Sequence, residues 1–220
     1  MNIYLSHYIS DKTPGYGGQS IFTCEESSSI KKGKSSNSSL WRMNNHSGTH
    51  IDFPKHFDDA GKTLSDYPAN FWFFNEIGFI NYAASSSEII GVEQLNLGNI
   101  NRETDFLIIK TNFEKFRGQE IYWNENPGFS PDLGHFLRNN FPKLRAIGFD
   151  SISLTSFQHR ELGRQAHRAF LANYNGLEPI LIVEDMKLGE LNQKPKRVVC
   201  LPFMADDADG SPVTVTAELF

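Results

Sequence analysis

Three histidines and an aspartate fall within eleven residues of this chain, His46-Ser-Gly-Thr-His50-Ile-Asp52-Phe-Pro-Lys-His56, and this segment restricts the backbone more than any other. Neutral imidazole nitrogens with a carboxylate oxygen are the donors that Zn²⁺ and its first-row neighbours take. On a strand, His50 and Asp52 would point to one face with Cα atoms roughly 6–7 Å apart, close enough to reach one ion. His46 and His50 would be about 13 Å apart on a straight strand, too far for two metal bonds of about 2 Å each. The chain must therefore bend between them, and Gly48 stands where a bend costs least. A continuous helix would join His46 to His50 but swing Asp52 away, and Pro54 opposes it. A turn followed by a strand is the expectation.

The rest of the chain reads as β-rich. Strands are predicted over 39–45, 71–82, 105–111, 144–149, 179–184, 197–202 and 213–219, where β-branched and aromatic residues cluster between turn residues. One helix is predicted over 131–141, with Pro131 and Asp132 suited to a first turn. Another is predicted over about 159–172, where Leu162, Ala166 and Ala169 recur at helical spacing. This balance favours a β-rich α/β or α+β domain over a doubly wound sheet. No G-x-G-x-x-G or Walker pattern supports a nucleotide cofactor. The polar, Ser/Lys-rich segment 25–39 reads as a mobile surface loop, with a lid over a site as the alternative.

Composition narrows the partners. Acidic and basic residues are interspersed at a net charge of −5, which gives no reason to expect nucleic acid or an anionic membrane. The apolar fraction is only 39%, but 18 Phe, seven Tyr and three Trp supply enough area to bury for one domain spanning 1–220. The opening MNIYLSHYIS lacks a basic region followed by an apolar run, so no signal peptide is expected. Cys24 and Cys200 are isolated, which argues against a disulfide framework or a thiolate metal site. A soluble cytoplasmic protein acting on a small molecule is the expectation.

The segment HSGTHIDFPKH resembles the signature H-x-G-T-H-x-D-x-P-x-H of the cyclase family that includes bacterial kynurenine formamidases and isatin hydrolases. LSHYISDKTPGYGG, IGFDSIS, RQAHRAFL, PILIVED and DGSPVTVTA also resemble stretches of that family, so the likeness covers nearly the whole chain. The resemblance implies a swivelling β/β/α domain with a central β-barrel-like sheet and flanking helices. It implies a centre of one or two divalent ions, Zn or Mn, with His46, His50 and Asp52 as ligands and Asp52 able to bridge. His167 and Glu184 match the family's later ligands, and His56 matches the histidine credited with acid/base catalysis. Tyr16 falls near a substrate-stacking Trp of the formamidases. A homo-oligomer, dimer or tetramer, with sites near subunit contacts is also implied.

Read without the resemblance, the later residues carry less. His167 lies on a predicted helix, where a histidine is ordinarily surface or core, and His159 is its rival. Glu184 ends the apolar run ILIVE, where a carboxylate costs energy unless it is paired or metal-bound; Asp185 is the next candidate. His7 and His135 read as structural. Such a ligand set would activate water and polarise a carbonyl, with His56 delivering a proton to the leaving group. The expected reaction is hydrolysis of an amide, as in an arylformamidase. The alternatives are a cyclic-imide or lactone hydrolase, a biosynthetic tailoring enzyme on the same site, or a non-catalytic metal-containing binding protein. Phe53, Tyr16, the segment 25–39 and an apparent insertion at 173–179 depart from the formamidase pattern; each is expected at the pocket rim, with Phe53 either beside the ligands or on the opposite face of its strand.

Overall fold

The computed structural model describes the whole chain, Met1–Phe220. Its strands are β1 (Asn2–Tyr4), β2 (Phe22–Ser28), β3 (Ser38–Met43), β4 (His50–Asp52), β5 (Phe73–Phe74), β6 (Ile77–Asn81), β7 (Ile89–Ile90), β8 (Phe106–Lys110), β9 (Gly128–Phe129), β10 (Ala146–Phe149), β11 (Leu181–Glu184), β12 (Arg197–Pro202) and β13 (Gly210–Glu218). The helices are α1 (Glu120–Asn124), α2 (Pro131–Asn140) and α3 (Arg160–Leu171). The main sheet runs β5-β12-β13-β4-β11-β10-β8-β6, with β1 also on β13. Strands β6, β8, β10 and β11 are parallel; β4, β5, β12 and β13 join antiparallel.

Both ends of this path lie close in sequence. Only Asn75 and Glu76 separate β5 from β6, so the sheet curls until its edges nearly meet. A polar seam closes the gap. The Asp105 carboxylate accepts from the backbone N–H groups of Asn75 and Glu76, each at 3.1 Å. Arg145 donates to the carbonyls of Phe71 and Phe73 at 2.5 and 2.8 Å and to Asp105 at 3.0 Å. The result is the β-rich α/β class expected, with a nearly closed, barrel-like sheet and few helices.

Burial follows from the sequence. Strands β8 (FLIIK), β10 (AIGF) and β11 (LIVE) are apolar runs buried on both faces, as parallel strands are. Helix α2 starts where predicted: Ser130 caps it, its side chain accepting from Leu133 N–H at 3.2 Å, and Pro131 takes the first turn. Helix α3 buries Gly163, Ala166, His167, Ala169 and Phe170 on one face. A cluster of 38 buried residues, Phe53, Phe106, Phe149 and Phe170 among them, forms the main core.

Several expectations change. Segment 25–39 is no loose loop: it belongs to an antiparallel hairpin of β2 and β3 joined by a 3₁₀ turn at Ile30–Lys32. The strand predicted over 39–45 is β3, within two residues; β2 is almost wholly exposed, so no alternation marked it as its partner. The strand predicted over 71–82 breaks at Asn75 and Glu76, where the barrel closes. Segment 173–179 forms a tight turn with Asn175 and Gly176 in left-handed conformation, held by Arg138 on the carbonyls of Ala172 and Leu177. It therefore packs on α2 and stays off the cavity wall described below. Both cysteines are free. No helix is long and apolar enough to cross a membrane.

Candidate metal centre

The bend and the strand occur as the spacing demands. Gly48 has φ +62°, the left-handed region that favours glycine. Around it the motif's small polar residues tie the turn down. The Ser47 hydroxyl donates to the Ile21 carbonyl at 3.1 Å, and the Thr49 hydroxyl donates to the Asp185 carbonyl at 2.6 Å. Strand β4 then alternates. His50 and Asp52 face one side, while Ile51 and Phe53 are fully buried on the other, Phe53 packing on Tyr67 and Trp72. Of its two expected placements, Phe53 thus takes the opposite face of the strand, in the core and off the pocket rim.

Register brings in the next donor. Glu184 on β11 pairs directly with His50, so both side chains leave the sheet together. On the other flank Gly210 pairs with Asp52. The His46 ring lies against Gly210, where any Cβ would overlap it. His167 arrives from α3. Gly163, where a Cβ would overlap Thr155, lets this helix close on the loop after β10.

Four buried side chains close a ring. His50 Nε2 is 3.5 Å from Asp52 Oδ1 and 3.4 Å from Glu184 Oε2. His167 Nε2 is 3.6 Å from Asp52 Oδ2 and 3.5 Å from Glu184 Oε1. Two metal bonds of about 2.0–2.2 Å at a tetrahedral angle leave their donors about 3.4 Å apart, so these separations suit ligands of a shared ion. The other ring nitrogens are already committed. His50 Nδ1 donates to Gly48 O at 2.8 Å and His167 Nδ1 to Gly163 O at 2.9 Å, which leaves each Nε2 lone pair for a cation. The group His46, His50 and Asp52 and the group Asp52, His167 and Glu184 could each hold an ion, with Asp52 common to both.

Charge supports the same reading. Asp52 and Glu184 are 1% and 4% exposed, and their only ion-pair partners are histidines. Burying two carboxylates without a cation costs several kcal/mol each. Burial alone would lower the proton affinity of His46 and His167, but the contacts of His46 with Asp52 and Asp209, and of His167 with Asp52 and Glu184, outweigh it and raise each to about 9. Burial raises Asp52, yet His167, His46 and His50 hold its carboxyl well below the usual range. The donors therefore fit a divalent ion, which would replace those protons.

His56 follows Pro54, whose 3₁₀ turn at the end of β4 folds the chain back over the site. Its Nδ1 lies 2.9 Å from Asp209 Oδ2, which is also 3.2 Å from His46 Nε2. Asp209 is the residue that the sequence reading missed. It lies 153 residues from His56, and its one signal was its place at the head of the family-like stretch DGSPVTVTA. His46, His56 and Asp209 form a third, more open group within reach of an ion. Burial lowers the pKa of His56, so its imidazole is neutral at pH 7.

The site opens into a cavity of about 410 Å³ whose wall includes Tyr16, His56, Phe57, Arg160, Arg164 and the donors above. Tyr16 is thus on the cavity wall. His159 is exposed and takes no part, so His167 is the histidine delivered by this region. Asp185 points elsewhere. It receives Arg117 in a bidentate pair at 2.9 and 2.8 Å and the Tyr122 hydroxyl at 2.5 Å. His7 is a half-buried neighbour of Glu114, lowered by burial to about 4, and His135 packs on Tyr174.

Together, a barrel-like mixed sheet and a buried histidine–carboxylate cage define a class of β-rich proteins with a metal-type centre on the face of a short central strand. The Cyclase family model matches residues 3–155, and the chain belongs to that family. A kynurenine formamidase of Bacillus cereus is 28% identical over 215 residues, covering 96% of this chain and 94% of that protein. Cyclase-like protein 2 of Oryza sativa subsp. japonica is 28% identical over 200 residues, covering 84% of this chain and 66% of that one. Among solved structures, isatin hydrolase A from Labrenzia aggregata superposes with a TM-score of 0.81 at 20% identity, over 100% of this chain and 93% of that one, and so shares the fold.

Proposed function

We propose that this chain, as a single domain over residues 1–220, is a divalent-metal-dependent hydrolase that cleaves an amide bond, with aryl formamides as the first substrate class to test. The observation that carries the reading is the closed ring of His50, Asp52, His167 and Glu184 at 3.4–3.6 Å, with both outer imidazole nitrogens pinned to carbonyls. The likeness to kynurenine formamidases over 96% of the chain supports the bond class. His46, His50, Asp52, His167 and Glu184 would hold one or two ions, and Zn and Mn both suit this donor set. Bound there, a divalent ion supplies a lowered pKa for water, towards about 7, and polarisation of the carbonyl oxygen.

The chain's own groups do the rest. Asp209 accepts from His56 Nδ1–H, which leaves His56 Nε2 free to take a proton and later return it to the leaving amine. Tyr16 offers a ring against which a flat substrate can lie. Cytoplasmic location belongs to this reading, as does a homo-oligomer. Trp41, Leu201, Phe203 and Met204 leave large apolar groups exposed on the hairpin and nearby β12, which suits a second copy of the chain.

The test is a hydrolysis screen of zinc- and manganese-loaded protein on aryl formamides, cyclic imides and lactones, repeated with His56→Ala. Loss of turnover with metal content retained supports the reading. A fully metal-loaded wild type that turns over none of these compounds would make a binding protein the better account.

A further inference from the structure

The cavity wall carries a solvent-accessible cation with no acidic partner in the protein. Arg160 and Arg164 both line it from the first turns of α3. Arg164 is committed, its guanidinium donating twice to Glu161 at 3.0 and 2.5 Å. Arg160 makes no ion pair. Its guanidinium lies instead 3.9 Å over the Phe157 ring and 6.0 Å from the Tyr16 ring centre, and these two rings pack on each other at 5.4 Å. Stacking of this kind fixes a guanidinium plane and leaves its N–H fork open.

The placement is otherwise unfavourable. Arg160 is the first residue of a twelve-residue helix, where the macrodipole is positive and a cation is disfavoured. Beside it, the Tyr16 hydroxyl is buried without a hydrogen-bond partner. Burial pushes that hydroxyl up to about 12 against the pull of Arg160, so it stays a neutral donor at any physiological pH. A guanidinium without an acidic partner and an orphaned hydroxyl therefore line the same cavity as the donor ring.

We propose that Arg160, seconded by the Tyr16 hydroxyl, binds a carboxylate carried by the substrate, so that the site selects anionic amides over neutral ones. Arg and carboxylate match in bidentate geometry, and the phenol would add a third hydrogen bond. The assignment rests on the hydrolase reading only for what happens after binding. Anion selection by Arg160 stands or falls separately.

The test compares a matched pair that differs in one group, 4-acetamidobenzoate and acetanilide. Their dissociation constants are measured calorimetrically on zinc-loaded full-length protein, wild type, Arg160→Gln and Arg160→Lys. The proposal expects the acid to bind at least tenfold tighter than the neutral amide in wild type. It expects that preference to vanish in Arg160→Gln and to persist in part in Arg160→Lys, with acetanilide affinity unchanged throughout. Equal affinity for the pair, no detectable binding of the acid, or a preference that survives Arg160→Gln would each overturn it, the last by assigning the carboxylate to the metal. Rates for 4-formamidobenzoate and formanilide separate the two ideas: preferential binding without turnover of either compound sinks the hydrolase and leaves the anion site standing.

Discussion

Adding one methyl group at Gly210 tests the site's architecture without touching a donor. A Cβ there would stand 2.8 Å from both nitrogens of the His46 ring and nearer still to Cε1, whereas ordinary contact begins at 3.4 Å, so the ring must withdraw by about 1 Å. Withdrawal stretches the 2.8 Å contact to Asp52 and the 3.2 Å contact to Asp209 that set the ring's position. Gly210 does not have positive φ, so alanine brings no backbone strain of its own. Misplaced orienting contacts typically cost about 10–100-fold in metal affinity, or about 1.4–2.7 kcal/mol. Competition titration of zinc against a chromophoric chelator reads this directly, with circular dichroism confirming that Gly210→Ala is folded. A folded variant with wild-type zinc affinity would refute the claim that His46 is held against an ion.

Other outcomes follow from the same geometry. His46 and His167 are raised to about 9 from an ordinary 6.5 in metal-free protein, so their contribution to stability is complete below pH 6.5 and fades as pH rises towards about 9. Thermal melts of metal-free protein should therefore fall across that window. Metal binding at pH 7 should release about one to two protons, seen as a buffer-dependent calorimetric enthalpy; no release would show that the imidazoles were already neutral. Asp209→Asn should lower kcat by about 10-fold or more through loss of His56 orientation while zinc stoichiometry holds, since Asp209 lies outside the ring of four. Phe53→Ala should cost about 3–5 kcal/mol in urea unfolding with zinc stoichiometry unchanged, as befits a core side chain on the reverse of β4.

What the sequence disclosed depended on how local the physics was. His46, His50 and Asp52 were legible because spacing, a glycine and a proline together left one workable backbone. Strands β8, β10, β11 and β12 and helices α2 and α3 came within a few residues of their predicted bounds, since burial on both faces or helical spacing marks them. Strand β3 came within two residues of its predicted bounds, but its partner β2 was missed because almost all its residues stay exposed, and α1 because five residues carry too little periodicity. The face that Phe53 occupies is set by the pairing of β4 with β11 and β13, which no local pattern reveals. Asp209 was illegible as a site residue for the same reason. Only the register of β13 beside β4 places it against His56 and His46.

Anomalous diffraction at the zinc edge from crystals of zinc-loaded protein addresses the centre most directly. The account predicts a strong peak within about 2.0–2.2 Å of His50 Nε2 or His167 Nε2, with an Asp52 oxygen on the same ion. A peak held only by surface groups, or none between those imidazoles in fully loaded crystals, would contradict it.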